Sequence, residues 1–299
     1  MSAPDLTQID ASRHLLIAGP TASGKSHLAL AVAQAQGGLV VNADALQVWS
    51  CWRVLTARPS EADEAAAPHA LYGHVGPDHV YSVGDWLREV AALTAQRLIV
   101  VGGTGLYLTA LTRGLAQIPP TPAAVRAEAD ARLATAGGLE VMVAQLDARS
   151  RSGIDLRNPA RVQRAWEVLQ ATGRGIADWQ AETPPPLLPA ADCQRILITS
   201  DRDWLANRIA RRFHAMLNQG ALAEAGAMLP QWDPSRQWAK AIGAPELMAH
   251  LKGQATLAEA TERAIIASRQ YAKSQRIWFR GRMRDWQPWQ AGPHGLHPI

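Results

Sequence analysis

Four short runs rich in Val, Ile and Leu are the clearest hydrophobic pattern along the chain. They cover residues 15–18 (LLIA), 39–42 (LVVN), 98–101 (LIVV) and 195–200 (RILITS). The first three are continuous rather than alternating, which is typical of strands buried on both faces of a parallel sheet. Helix-like stretches, notably 25–36 and 85–96, separate the first three runs. The pattern therefore predicts an α/β fold with a largely parallel sheet.

Two proline clusters, at 118–122 (IPPTP) and 183–189 (TPPPLLP), interrupt this alternation. The segment between them is rich in Ala, Arg and Glu and shows no strand pattern, which indicates a helical insertion on two stiff hinges. After residue 200 the pattern is helical again, with helices expected at 201–218, 222–229, 244–251 and 257–279. We thus expect three parts: a core at 1–118, an insertion at 119–190, and a completion of the core with a helical C-terminal region at 191–299.

The segment between the first predicted strand and the first predicted helix reads GPTASGKS and matches the P-loop motif G-x-x-x-x-G-K-[ST]. Backbone N–H groups of such a loop converge on phosphates at a helix N-terminus, the lysine adds a positive charge, and the final hydroxyl is a ligand for Mg²⁺. The motif predicts a P-loop NTPase-like core and leaves open which phosphates are bound. The predicted phosphate-binding residues are Gly19, Pro20, Thr21, Ala22, Ser23, Gly24, Lys25 and Ser26, with Ser26 as the metal ligand.

An acidic residue is expected close to these phosphates. The third hydrophobic run continues as GGTG without an acid, whereas the second continues as NAD and ends in Asp44. We expect the strand before Asp44 to adjoin the P-loop strand, so that Asp44 and Thr104 face the same crevice. This placement would make Asp44 a base and Thr104 a hydrogen-bonding residue beside a bound diphosphate. Alternatively, Asp44 caps the next segment and Thr104 only serves the turn.

Composition limits the class of protein. The 299 residues are 47% hydrophobic, and no apolar run reaches the roughly 18 residues of a membrane span. The two cysteines, Cys51 and Cys193, predict a reduced, cytoplasmic protein without a disulfide framework. A formal net charge of +4 permits a polyanionic partner without requiring one.

The positive charge is concentrated near the C-terminus. The segment 263–284 contains seven basic residues and no acid, with Tyr271, Trp278 and Phe279 interleaved. Clusters of basic and aromatic residues suit an RNA backbone, but a solvated helix face would show the same composition. The basic side chains predicted to contact phosphates are Arg269, Lys273, Arg276 and Arg280.

Taken in order, these segments resemble the tRNA dimethylallyltransferase family. The resemblance covers about residues 14–281, nearly the whole chain. It rests on the P-loop together with NADALQVWSCWRVLTARPS, VVGGTGLYLTALTRG, RNPARVQRAWEVLQATG, RFHAMLNQGALAEA, KAIGAPELMAHLKG and SRQYAKSQRIWFRG. It implies transfer of a dimethylallyl group from dimethylallyl diphosphate, with Mg²⁺, to the N6 amine of the adenosine next to the tRNA anticodon.

The resemblance also assigns roles by position. Asp44 corresponds to the general base, Thr104 to the residue that holds N6, and Arg212 to an arginine that binds the diphosphate. The implied tRNA contacts are Asp44, Ala45, Leu46, Gln47, Arg126, Ala160, Arg161, Val162, Gln163, Arg164, Lys240, Ala241, Ile242, Gly243, Ala244 and Pro245. The sequence departs from the family pattern at Ala45, Trp49, Ala244 and Ser274, none of which is the base, the P-loop lysine or Thr104.

Two other hypotheses remain from the sequence. A P-loop kinase for a nucleoside or another small molecule would share the loop and strand order, and Asp44 could then hold its Mg²⁺. A non-catalytic RNA-binding protein could use the P-loop as a nucleotide switch. For the family member we expect a monomer in the cytoplasm that binds the tRNA anticodon stem-loop and no membrane.

Overall fold

A computed structural model describes residues 4–299 and contains one seven-stranded sheet in the described part of the chain. The strand order is β3-β2-β4-β1-β5-β6-β7, and all neighbours are parallel except the final pair, β6 and β7. The strands are β1 (His14–Ala18), β2 (Leu39–Asn42), β3 (His69–Ala70), β4 (Leu98–Gly102), β5 (Cys193–Ser200), β6 (Gln287–Gly292) and β7 (Gly295–Pro298).

Thirteen α-helices occur in residues 4–299. They are α1 (Lys25–Gln36), α2 (Glu61–Ala66), α3 (Val83–Ala91), α4 (Gly105–Arg113), α5 (Ala123–Leu133), α6 (Gly138–Gln145), α7 (Ala148–Gly153), α8 (Pro159–Thr172), α9 (Ile176–Ala181), α10 (Arg202–Asn218), α11 (Ala221–Met228), α12 (Ala244–Leu251) and α13 (Leu257–Arg282).

The α/β class predicted from the hydrophobic runs is confirmed, because the four runs form β1, β2, β4 and β5. Strands β1, β2 and β4 are almost entirely buried, as continuous apolar runs require. Two clusters of buried side chains fill the space around the sheet, one containing Leu16, Val41 and Val100 and the other Leu15 and Ile17. The alternation of neighbouring residues between the clusters follows from the two-residue period of a strand.

Helices α13 and α1 begin in different ways. Thr256 begins α13 with a capping box, in which its hydroxyl accepts the Glu259 N–H and the Glu259 carboxylate accepts the Thr256 N–H. By contrast, α1 begins after Gly24 with no capping side chain and no acid in its first turn. The positive end of α1 is therefore left available to an anion.

The chain divides into two compact units, of which the first runs to Thr112 and resumes at Leu187 and contains the whole sheet. The second unit, Arg113–Pro186, holds the five helices α5 to α9 around its own hydrophobic core. Trp166 and Met142 lie at the centre of that core. In the first unit, Leu188 is buried and donates its N–H to Leu111 O at 3.0 Å.

One expectation about the topology is wrong. Strand β2 does not adjoin the P-loop strand β1, because β4 lies between them. The chain after β2 reaches the P-loop edge because Gly102, at the end of β4, has no Cβ; a Cβ there would overlap the carbonyl of Ala43. Strands β3, β6 and β7 were not predicted, and β3 pairs through only two residues, too few to produce a pattern.

Candidate active site at the P-loop edge of the sheet

The P-loop, residues 19–26, joins the end of β1 to the start of α1. Two of its residues have positive φ, Ala22 at 62° and Gly24 at 95°, so the loop curls in front of the helix. Ala22 is a non-glycine residue in this strained region, and its carbonyl is held at 2.9 Å by Nε of Arg208. A contact from α10 therefore helps to hold the loop in this shape.

Lys25 supplies the positive charge of the loop from a buried position. Its ammonium lies 3.4 Å from the carbonyl oxygen of Pro20. Burial lowers its pKa from 10.5 to about 8, the carboxylate of Asp44 opposes that shift, and the guanidinium of Arg212 adds to it. An anion bound beside Lys25 would stabilise its charged form.

Asp44 is held by its neighbours immediately after β2. The buried side chain of Asn42 accepts the Asp44 N–H at 2.8 Å and donates to the Asp44 carbonyl at 3.0 Å. One carboxylate oxygen of Asp44 accepts the Leu46 N–H at 3.0 Å. The capping alternative is thus partly realised, since one oxygen serves the local turn. The second oxygen faces Gly103 and lies close to where a Cβ would stand.

Thr104 meets this turn from the end of β4. Its hydroxyl accepts the Ala45 N–H at 2.9 Å, and its own N–H donates to Ala43 O at 3.2 Å. Because a hydroxyl has two acceptor sites and one donor, Thr104 keeps hydrogen-bonding capacity after these contacts. The structure therefore brings together Asp44 and Thr104, as the sequence predicted, although their strands meet in a different order.

A cavity of about 70 Å³ opens beside Asp44. Its polar boundary includes Asp44, Arg212 and Tyr271, and apolar side chains close most of the remaining wall. Such a cavity suits a small hydrocarbon group next to an anion. Its lining residues are Thr21, Ala22, Asp44, Leu46, Leu55, Thr56, Ile209, Arg212, Phe213, Met216, Ile242, Ser268 and Tyr271.

Arg212 reaches this cavity from α10. It is half-buried; burial lowers the pKa of its guanidinium, and Asp44 counteracts this. Lys25 and Arg212 thus flank one carboxylate, which gives the site an excess of positive charge. That balance favours a ligand with two or more negative charges.

The inner face of α13 contributes two residues that were not predicted from the sequence. Tyr271 lines the cavity, and burial raises the pKa of its phenol. Gln275 is 5% exposed and accepts the Thr21 N–H at 2.9 Å. Both lie in the family-like segment SRQYAKSQRIWFRG, where the basic residues dominate the pattern. Their spacing of four residues, which puts them on one helix face, was the available signal.

The basic residues of α13 lie on a different face. Arg269, Lys273, Arg276 and Arg280 follow the spacing i, i+4, i+7, i+11, so they form one stripe. Arg276 is half-buried, and the other three are exposed. This arrangement fits either a solvated face or an RNA backbone. Phe279 and Trp286 are buried, so neither presents an exposed ring for stacking on a base.

Within the second unit, Arg113–Pro186, which we call the insertion unit, two predicted tRNA contacts converge on one acid. Glu167 is 2% exposed and lies 2.7 Å from Nε of Arg126 and 3.9 Å from Nη1 of Arg164. Ala160 and Arg161 are exposed on α8, and Gln163 is half-buried. Val162, by contrast, belongs to the buried core of this unit, so its side chain is not available to RNA.

The segment 240–245 is mostly inaccessible. Ala241, Gly243 and Ala244 are buried, while Lys240 and Pro245 are exposed. Gly243, at φ 95°, packs against Phe213 and Leu55 of the cavity wall, and a Cβ there would approach Phe213 to 2.8 Å. The predicted RNA contacts Leu46 and Ile242 also line the cavity, whereas Gln47 turns to the carbonyls of Thr56 and Ala57. Many of the predicted RNA contacts are therefore packed in or behind the cavity wall and support its shape.

The residues present fit a Mg²⁺ ion that is shared between the protein and a bound phosphate. The described residues contain no cluster of three or more His, Cys, Asp or Glu side chains suited to a metal. Ser26, however, presents an exposed hydroxyl in the first turn of α1. Mg²⁺ commonly takes one or two protein oxygens and completes its octahedron with phosphate oxygens and water. Ser26 fits that pattern.

Comparison with known proteins decides the family. A family model described as "IPP transferase" matches residues 47–282, and one described as "Isopentenyl transferase" matches residues 12–67. The tRNA dimethylallyltransferase of Paracoccus denitrificans (strain Pd 1222) is 67% identical over 291 residues, which cover 95% of this chain and 96% of the relative. The chain belongs to the tRNA dimethylallyltransferase family.

Solved structures agree with this assignment. The full-length tRNA isopentenylpyrophosphate transferase of Bacillus halodurans is 28% identical, with a TM-score of 0.66, over 94% of this chain and 90% of its own. A eukaryotic dimethylallyltransferase solved while acting on tRNA has a TM-score of 0.79 at 23% identity, over 94% of this chain and 74% of its own. The latter shows a shared fold. No helix in residues 4–299 is both long and apolar enough to cross a membrane.

Proposed function

We propose that this family member transfers the dimethylallyl group of dimethylallyl diphosphate to the N6 amine of the adenosine at position 37, adjacent to the anticodon, in tRNA. The observation that carries the proposal is the 70 Å³ cavity, which combines Asp44, Arg212 and the P-loop residue Thr21 with an apolar wall. A carboxylate, a diphosphate-binding loop and a hydrocarbon-sized space are the three features that this reaction requires.

The P-loop side of the site holds the leaving group. Backbone N–H groups at the start of α1, together with Lys25 and Arg212, bind the diphosphate and neutralise the charge that develops as its C–O bond breaks. Ser26 would hold Mg²⁺, which supplies further charge neutralisation when bound. The complete diphosphate-binding set is Gly19, Pro20, Thr21, Ala22, Ser23, Gly24, Lys25, Ser26 and Arg212.

Asp44 and Thr104 act on the amine. As N6 forms its bond to the prenyl carbon, the C–O bonding electrons leave with the diphosphate and the nitrogen becomes cationic. The free carboxylate oxygen of Asp44 takes the N6 proton, while the remaining acceptor site of Thr104 orients the amine. The turn contact to Leu46 fixes the other oxygen and so aims the carboxylate.

The tRNA must present an unpaired adenosine. Extruding a base costs a few kcal/mol and is cheapest in a loop, which makes the anticodon loop a suitable target. The stripe on α13 and the exposed residues of α8 would bind the RNA backbone. We propose that the protein works as a monomer in the cytoplasm.

A transfer assay tests the proposal against the kinase alternative, which the family comparison does not favour. The purified protein would be incubated with an unmodified anticodon stem-loop and either labelled dimethylallyl diphosphate or γ-labelled ATP. We expect label on RNA only from the prenyl donor. A matched stem-loop with guanosine at the target position, which lacks the N6 amine, should stay unlabelled. Label transferred from ATP, or RNA binding without any transfer, would contradict the proposal.

A further inference from the structure

Gln275 bridges two parts of the active site that the sheet does not connect. Its Oε1 accepts the N–H of Thr21, and its Nε2 donates to the carbonyl of Gly103 at 3.0 Å. The last paired residues of β1 and β4 are Ala18 and Gly102. Beyond them the P-loop and the turn that carries Thr104 separate, and the amide of Gln275 fills the gap.

The bridge joins the two reacting partners. Thr21 belongs to the loop that holds the diphosphate, and Gly103 immediately precedes the residue that orients the amine. Because hydrogen bonds fix both ends, the amide sets the separation between these segments. Gly103 makes room for it, since a Cβ at that position would overlap Nε2 of Gln275.

The amide of Gln275 is buried, so its hydrogen bonds cannot readily be replaced by bonds to water. Gln275 is one of the few buried polar side chains in the described chain, and both its donor and its acceptor are used. Removing the amide would leave the Thr21 N–H and the Gly103 carbonyl without these partners. Because an unsatisfied buried donor or acceptor costs free energy, we expect the two segments to shift until these groups find other partners. Because the Thr21 N–H donates to Gln275, Thr21 contributes to the diphosphate site by anchoring the loop and not through its own N–H.

We propose that Gln275 is a positioning residue that sets the distance between the diphosphate and the target amine. The proposal rests on the function proposed above. Gln275 acts through Thr21 and Gly103, and it is not among the residues that line the cavity. Its side chain also hydrogen-bonds the phenol of Tyr271, which does line the cavity. Its place on α13, which also carries the basic stripe formed by Arg269, Lys273, Arg276 and Arg280, ties this distance to the helix proposed to bind RNA.

Steady-state and single-turnover kinetics of Gln275→Leu test the proposal, with Gln270→Leu as the control on the exposed side of the same helix. We expect the single-turnover rate of Gln275→Leu to fall about tenfold to hundredfold, the loss associated with misplacement by about 1 Å. The KM values for both substrates should change less than about threefold, and Gln270→Leu should match the wild type.

Gly103→Ala supplies a second route to the same bond, because the added methyl group would overlap the Gln275 amide, whereas it would meet the Asp44 carboxylate only at an ordinary contact distance of 3.4 Å. It should reproduce the loss in kcat with little change in KM. Wild-type rates in both variants, or a loss of rate that only parallels a loss of folded protein, would overturn the proposal.

Amide hydrogen exchange separates this proposal from the proposed function. In Gln275→Leu the Thr21 N–H should exchange at least tenfold faster than in the wild type, while the N–H groups of α1 keep their protection. This result does not depend on activity. Absence of prenyl transfer in the wild type would refute the function, whereas unchanged Thr21 exchange in the variant would refute the bridge.

Discussion

The hydroxyl of Thr104 accepts the backbone N–H of Ala45 at 2.9 Å, directly beside Asp44. This bond joins the turn after β4 to the turn after β2, so the proposed base and the residue that orients its substrate are held by a common contact. We therefore expect replacement of Asp44 and replacement of Thr104 to have different consequences.

Asp44→Asn should reduce the single-turnover rate by about two to four orders of magnitude, the range that general acid–base groups contribute. The amide cannot take the N6 proton, but its size and its contact with Leu46 are retained, so the affinity for both substrates should stay nearly unchanged. Thr104→Ala should cost less, because it removes orientation and not the base. Rapid-quench measurements with saturating tRNA and diphosphate provide the comparison, and near-normal chemistry in Asp44→Asn would exclude it from the mechanism.

Binding of the diphosphate should take up protons above about pH 8. The pKa of Lys25 in the free protein is about 8, below its ordinary 10.5, because burial disfavours the charge. A bound diphosphate restores that charge, so affinity should be greatest below pH 8 and decline as the pH rises through this value. Calorimetry in two buffers of different ionisation enthalpy counts the protons.

Lys25→Ala is the control for this titration. It should bind dimethylallyl diphosphate weakly and without the proton uptake near pH 8, while tRNA affinity stays within a few fold. Identical proton uptake in Lys25→Ala and in the wild type would assign the titration to another group.

The lowered pKa of Lys25 also has a consequence for stability. Between pH 8 and 10.5 the unfolded chain holds more protons at this position than the folded one, so the contribution of Lys25 to stability should rise with pH.

The basic stripe of α13 should determine how strongly salt weakens tRNA binding. Each phosphate that a basic side chain neutralises is expected to add about 0.7 to 0.9 to the steepness of log K against log salt concentration. Alanine at Arg269, Lys273 or Arg280 should therefore flatten the slope by roughly one unit. Arg236→Ala, on an exposed loop between α11 and α12, is the matched control. Slopes that do not change would identify the stripe as a solvated face.

Arg126→Ala should destabilise the insertion unit because it removes an ion partner of the buried carboxylate of Glu167. Burial raises the pKa of Glu167, whereas Arg126 and Arg164 lower it. We expect a loss of about 1–3 kcal/mol, the cost of an under-satisfied buried group, with the low end favoured because Arg126 is half-exposed. Arg149→Ala, which breaks an exposed pair with Asp178, should cost less than about 1 kcal/mol.

The pH dependence of this loss can be checked by denaturant unfolding of the whole protein. Without Arg126 the folded-state pKa of Glu167 rises further, and a raised carboxyl pKa destabilises the protein mainly at higher pH. The difference between Arg126→Ala and the wild type should therefore shrink as the pH falls. Equal losses in Arg126→Ala and Arg149→Ala would show that the burial of Glu167 is unimportant.

The sequence by itself determined four of the seven strands, the P-loop and most of the candidate residues. Strands β1, β2 and β4 are buried on both faces, so each had to be a continuous apolar run, and the P-loop requires fixed residues at fixed spacing. The ends of the parallel strands then had to face one edge, which placed Asp44 near Lys25 and Thr104 beside the turn that carries Asp44. The basic stripe and the helical insertion were equally visible, because helical periodicity and composition are local properties.

Only the tertiary structure decided how these pieces meet. Strand order depends on contacts between residues distant in sequence, so the position of β4 between β1 and β2 was hidden, as was the need for Gly102 beneath Ala43. Burial decided that Val162, Ala241 and Ala244 pack inside their units. The bridge by Gln275 joins residues 254 and 172 positions away, and no local pattern records such a contact. Local sequence specifies which groups exist, whereas packing between distant segments determines which of them can act together.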